Sequence, residues 1–192
     1  SRNGSIKVQQ HSKKTVGAVK RIREQCLTLL NEKRTDELTA EDKHILAQYE
    51  GGGGTGEAQR SASGVLYEFY TPKAVCNTLW HLVDAYDPTI KTVLEPAGGT
   101  GRFLVGREHN ECTLIEPDET ASRIARLLHP TAEVKTQSFQ ELFFKDGVIR
   151  TAQYTGKKFD LVIGNPPYGT YSGFYKGKGE GASHSRYEQY FL

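Results

Sequence analysis

Between Thr92 and Gly164, short apolar runs alternate with stretches of helical period, and this alternation constrains the fold more than any other feature. TVLEPA (92–97), CTLIEP (112–117), EVKTQ (133–137) and FDLVIG (159–164) each read as strands. TGRFLVGRE (100–108) reads as the start of a helix after a glycine turn, and DETASRIARLLHP (118–130) as a helix with an acid-rich start. Upstream, TPKAVCNTLWHLVDAY (71–86) predicts a helix capped by Thr71, with Pro72 at its first position and Val75, Leu79, Leu82 and Val83 pointing inward. Strands that alternate with helices form right-handed βαβ units, so a mostly parallel sheet is expected.

The part before this alternation has a different texture. From Thr15 to Glu32, apolar residues recur at helical spacing (Val16, Val19, Ile22, Cys26, Leu29, Leu30). Thr39 is the expected N-cap of a second helix with Ile45, Leu46 and Tyr49 on its apolar side. GGGGTGEAQRSASG (51–64) reads by composition as a flexible linker. The expected organisation is therefore a helical N-terminal extension with its linker over 1–64, then an α/β part over 65–192. A length of 192 residues suits one core with such an appendage.

Composition excludes several classes. Cys26, Cys76 and Cys112 are too few and too far apart for a disulfide framework or a zinc site. They read as reduced thiols, which points to the cytoplasm. No apolar run approaches the length of a membrane span, so no membrane partner is expected. The net charge of +2 is too small to argue a nucleic-acid partner. The chain opens on Ser1 and holds no Met, as a piece cut from a longer protein would.

The chemistry gathers at the predicted strand ends. In LEPAGGTGRF, Gly98, Gly99 and Gly101 allow a tight turn and close approach of a ligand to the following helix start. A purely structural turn fits this stretch equally well. Glu116, after the next strand, can accept hydrogen bonds from the two hydroxyls of a ribose. Together they suggest a nucleoside cofactor at the carboxyl edge of the sheet, and no metal is required. Asn165, Pro166, Pro167 and Tyr168 then end the last strand abruptly. The Asn165 side-chain oxygen and the Pro166 carbonyl can each accept a hydrogen from an exocyclic amine. That localises the nitrogen lone pair, and the two prolines keep the acceptors fixed. Tyr168 can stack on the base.

NPPY, EPAGGTGRF and YTPKAV resemble motifs IV, I and X of S-adenosylmethionine-dependent N6-adenine DNA methyltransferases, in the motif order of their γ class. The resemblance covers about residues 69–168. LTAEDKHILAQYEGGGG followed by YEFYTPKAV is also similar, more loosely, to the start of the methylase region in large helicase–methylase polypeptides of phages and conjugative elements. The resemblance implies a Rossmann-like class I methyltransferase fold, S-adenosylmethionine as cofactor, a flipped adenine in DNA as substrate and an in-line methyl transfer. It implies that Thr71 and Pro72 touch the methionine end, that Glu95, Ala97, Gly99 and Gly101 surround the cofactor, and that Glu116 holds the ribose beside Pro117. Ser138 and Phe139 stand where the family carries Asp-Phe; Phe139 can pack on the cofactor's adenine, and Ser138 is a weaker partner for its amine. Full enzymes carry further strands and a target-recognition region after motif IV. The chain therefore reads as truncated after the fourth strand, with a recognition region or helicase part missing. Residues 169–187, glycine-rich and basic with aromatics, are compatible with clasping DNA, and equally with a solvated loop. Methyltransferases acting on protein glutamine or on RNA share NPPY and stay open as alternatives, as does a cofactor-binding module without activity.

Overall fold

The computed structural model describes residues 16–51, 70–145, 148–149 and 156–166. The expected linker after Gly51, together with Pro167, Tyr168 and the 169–187 stretch, lies outside the described residues.

Two helices open the described part: α1 (Val16–Glu32) and α2 (Ala40–Leu46). Thr39 caps α2 as its sequence predicts, with Thr39 Oγ1 accepting from Asp42 N and Asp42 Oδ2 accepting from Thr39 N at 2.8 Å. Helix α3 (Lys73–Tyr86) precedes β1 (Thr92–Glu95), β2 (Glu111–Ile115), α4 (Glu119–Leu128) and β3 (Glu133–Lys135). A two-stranded antiparallel hairpin, β4 (Phe144–Lys145) with β5 (Val148–Ile149), comes before β6 (Leu161–Val162). The main sheet has the order β3-β2-β1-β6, with every pair parallel. The chain thus winds outward from β1 to β3 and then returns to the far side of β1. Asp160 pins that return: its Oδ2 accepts from the backbone N–H of Lys91 and of Thr92 at 3.0 and 2.9 Å.

Among the described residues two cores are present. Val93, Cys112 and Leu114 of the sheet pack with Cys76 and Trp80 of α3, Phe103, Leu104, Ala125 and Ile163. The second joins Cys26 and Leu30 of α1 to Leu46, Tyr49 and the α4 residues Ala121 and Ile124. Helix α4 contributes to both cores. All three cysteines are buried and free. Among the described residues no helix is long and apolar enough to cross a membrane.

The structure corrects several expectations. Helix α3 begins at Lys73 with Pro72 in the N-cap position, because Pro72 adopts an extended ψ of 141°. Thr71 is therefore not the cap, and its hydroxyl makes no hydrogen bond. The inward face of α3 is Cys76, Trp80 and Val83, whereas Val75, Leu79 and Leu82 are 45%, 38% and 63% exposed. The helix carries apolar residues on two faces, and Trp80, the largest, goes inward, where its Nε1 donates to the Phe103 carbonyl at 2.7 Å. TGRFLVGRE forms no α-helix. Gly101 and Gly106, at φ 79° and 76°, bracket a single 3-10 turn, Arg102–Leu104, that drops Phe103 and Leu104 into the core. Each predicted strand is a residue or more shorter than expected, and Val162 of β6 is 60% exposed.

Candidate functional site

Parallel strands end on one edge, and the sheet order reverses between β1 and β6. Open α/β sheets bind ligands in the crevice outside the carboxyl ends of the strands at such a reversal. The residues after these two strands are Pro96–Gly101 and Ile163–Pro166.

Glu95 ends β1 and is 2% exposed. Its Oε2 is buried with no hydrogen-bond partner, as are Thr71 Oγ1 and Thr100 Oγ1. Burial, and then the negative charge of Glu116, push the Glu95 carboxyl well above the usual carboxylate range. Buried polar atoms are normally paired, so each of these orphans is an atom that a polar ligand can satisfy. Glu116 follows β2 and is 9% exposed. Its Oε2 accepts from Gly99 N and its Oε1 from Asp118 N, both at 2.8 Å. One carboxylate therefore ties the glycine turn to the start of α4. Asp118 caps that helix through its side chain and Ala121 N.

The glycines have individual reasons to lack a Cβ. At Gly99 (φ 54°) an added Cβ would lie 2.8 Å from the Tyr70 ring, and at Gly101 2.6 Å from the His129 ring. At Gly98 it would collide with Leu114 at 2.2 Å. The turn is thus packed against this chain's own side chains. His129 is 8% exposed, and desolvation holds its imidazole below the usual histidine range, so a neutral ring supports the turn.

On the β6 side, Gly164 lies against β1: a Cβ there would stand 3.4 Å from Pro96 Cδ and 3.6 Å from Glu95 Cγ. Asn165 and Pro166, both half-buried, follow directly. The predicted acceptors therefore begin beside Glu95, while Pro167 and Tyr168 fall outside the described residues. Ala97 is half-buried in the turn and Pro117 is exposed after Glu116. Ser138 and Phe139 follow β3 at the same edge. Ser138 is engaged locally, donating from N and Oγ to Glu141 Oε2, and Phe139 meets Phe143 edge-on at 5.2 Å. Among the described residues no group of His, Cys, Asp and Glu could hold a metal ion.

Sequence reasoning missed Tyr70, Thr100, Arg102 and His129. Tyr70, Thr100 and Arg102 lie within the motifs YTPKAV and EPAGGTGRF and could have been suspected from their places. His129 carries no such signal.

Residues 57–191 match the model of the family described as N-6 DNA Methylase. The chain is 33% identical over 133 residues to "Defense against restriction protein B" of Escherichia phage P1, which covers 69% of this chain and 5% of that protein. It is 31% identical over 116 residues to "Type II methyltransferase M.CvrRI" of Paramecium bursaria Chlorella virus XZ-6E, covering 58% of this chain and 26% of that protein. The chain thus spans a small part of these curated relatives. In fold it is similar to a putative class I S-adenosylmethionine-dependent methyltransferase from Listeria monocytogenes, with a TM-score of 0.53 and 14% identity, over 92% of this chain and 60% of that one. The architecture is accordingly the Rossmann-like one of the class I methyltransferases. The family model takes in well over half of the residues, including the glycine turn, Glu116 and the Asn165-Pro166 corner, and the chain belongs to the N-6 DNA methylase family.

Proposed function

We propose that this chain binds S-adenosylmethionine at the switch point between β1 and β6 and presents Asn165 and Pro166 to the N6 amine of a flipped adenine in DNA. S-adenosylmethionine is the cofactor that family membership implies. The observation that carries the reading is the buried, unpartnered carboxyl of Glu95 at the switch point.

The residues present fit the cofactor. A methionine end offers an ammonium group, and Glu95 Oε2, Thr71 Oγ1 and Thr100 Oγ1 are buried acceptors without partners. A ribose offers two hydroxyls, and Glu116 is a carboxylate already oriented by two backbone N–H groups. Pro117 and Phe139 supply apolar surface for an adenine. When bound, the cofactor supplies a methyl group on a positively charged sulfur. The part of this chain is to hold the acceptor nitrogen. Asn165 Oδ1 and the Pro166 carbonyl accept its two hydrogens, and the rigid corner after β6 keeps them in place without reorganisation. Tyr168 would stack on the base.

We read DNA as the partner, the parent as a longer polypeptide of the restriction–modification or mobile-element kind, and its compartment as the cytoplasm. The residues before 65 are read as an extension to the cofactor-binding part. The names of the two curated relatives support this setting. Calorimetric titration with S-adenosylmethionine and with its demethylated product tests the site: saturable binding of both is expected, and a preference for NAD would sink the reading.

A further inference from the structure

Arg102 is the first residue after Gly101 and opens the 3-10 turn Arg102–Leu104. Among the described residues its guanidinium meets three groups. Nη2 pairs with Glu50 Oε1 at 3.2 Å, Nη1 donates to the Thr71 carbonyl at 3.4 Å, and the group stands 4.9 Å from the centre of the Tyr70 ring. One side chain therefore touches both Glu50 and Tyr70, which belong to separate described stretches of the chain.

Each partner is itself anchored. Glu50 follows Tyr49, which is 2% exposed in the core formed by α1, α2 and α4. Tyr70 packs against the same core, and its ring fills the space beside Gly99 that a Cβ would occupy. The Gly99 N–H in turn donates to Glu116. A continuous path therefore runs from the N-terminal helices through Glu50, Arg102 and Tyr70 to Gly99 and Glu116.

We propose that Arg102 is a positioning residue that couples the packing of the N-terminal helices to the shape of the cofactor turn. Gly99 and Gly101 hold left-handed conformations that a glycine leaves at little cost, so the turn needs restraint from outside itself. Arg102 supplies it by keeping Tyr70 against Gly99. The pair is not a loose surface contact: the Arg102 and Glu50 side chains are 21% and 28% exposed, and the planar guanidinium engages a carboxylate, a carbonyl and a ring together. A lysine offers the charge but not the fork or the stacking plane. A turn held in the binding shape beforehand spends less free energy on ordering when the ligand arrives.

The inference rests on the cofactor reading above, and one experiment separates their failures. S-adenosylmethionine is titrated calorimetrically into the whole chain and into Arg102→Ala, Arg102→Lys, Glu50→Ala and the Arg102→Ala/Glu50→Ala double variant, with melting curves for each. Arg102→Ala is expected to weaken binding about tenfold, the scale of one lost charge-assisted hydrogen bond. Glu50→Ala, remote from the crevice, should weaken it about threefold, with Arg102→Lys falling between wild type and Arg102→Ala. The double variant should bind no worse than Arg102→Ala, because both changes cut one path. If Arg102→Ala does not fold, Glu50→Ala alone decides. Lowered melting temperatures with unchanged affinity would make Arg102 merely structural, and additive losses would break the path. A wild-type chain that fails to bind would overturn the cofactor reading instead.

Discussion

Asp42 and Glu95 are buried acids in the two cores' surroundings, 7% and 2% exposed, and their environments are opposite. Asp42 sits where α1 meets α2. Its Oδ2 accepts from Lys33 Nζ at 2.7 Å, Thr39 N at 2.8 Å and Thr39 Oγ1 at 2.9 Å. Those partners, Lys33 foremost, hold its carboxyl down to about 2. Glu95, at the end of β1, has an orphaned oxygen and a neighbouring carboxylate, and burial drives it the other way. Burial alone does not separate a structural acid from a binding one; the inventory of partners does. The helical region satisfies Asp42 from within, whereas the strand ends leave acceptors for something else to satisfy.

If the strand-end region is the working one, the largest effects belong there. Asn165→Ala in a catalytically competent longer polypeptide should lower methyl transfer by about 10²–10³, the usual loss for one preorganised polar group. It should change folding by no more than about 1 kcal/mol. Single-turnover methylation of an adenine-containing duplex, with melting curves, reads both; normal turnover would reduce the motif to a strand stop.

Glu116→Ala should weaken S-adenosylmethionine binding by about 1–3 kcal/mol, as expected when hydrogen bonds to a charged group are lost. Calorimetry measures it, and equal affinity would remove Glu116 from the site.

Away from Glu50 and its link to Arg102, the helical region should answer only in stability. Thr39→Ala removes the α2 cap and should cost about 1 kcal/mol in denaturant unfolding, leaving cofactor affinity of the folded protein unchanged. A large affinity loss there would erase the distinction between the regions.

The smallest effect is a difference of sign with pH. Asp42 has a folded pKa below its unfolded value of 3.8, so its contribution is present above that value and lost as pH falls towards about 2. Glu95 has a folded pKa above its unfolded 4.5, so the native state keeps a proton that the unfolded chain releases, and stability falls as pH rises above 4.5 until the folded carboxyl ionises. Glu95→Gln should therefore flatten the pH dependence of melting above 4.5 and hold or raise stability at neutral pH. Asp42→Asn should instead lower neutral-pH stability and remove the acid-side loss. Parallel behaviour of the two variants would mean that the carboxyls are equivalent after all.

Much of the frame was legible. The cap at Thr39, the acid-rich start of α4, the four strand positions and the acid after β2 follow from spacing and stereochemistry over a few residues. The helix expected after Gly101 failed because two left-handed glycines confine it to one turn, and glycine conformation is not written in the residue's name. The inward face of α3 was misread because Val75, Leu79 and Leu82 keep the same helical period as Cys76, Trp80 and Val83. Only the neighbouring sheet chooses between such faces.

The sequence by itself determined the order of helices α1 to α4 and of the four parallel strands, the place of the glycine turn and the carboxylates and amide that end the strands. These are local properties, set by backbone conformation and side-chain period. The tertiary structure alone decided that Glu95 is orphaned while Asp42 is satisfied, that Tyr70 and His129 fill the spaces beside Gly99 and Gly101, and that Arg102 reaches a glutamate 52 positions away. Desolvation and long-range pairing depend on every element packed around a group, and no window of neighbouring residues contains them.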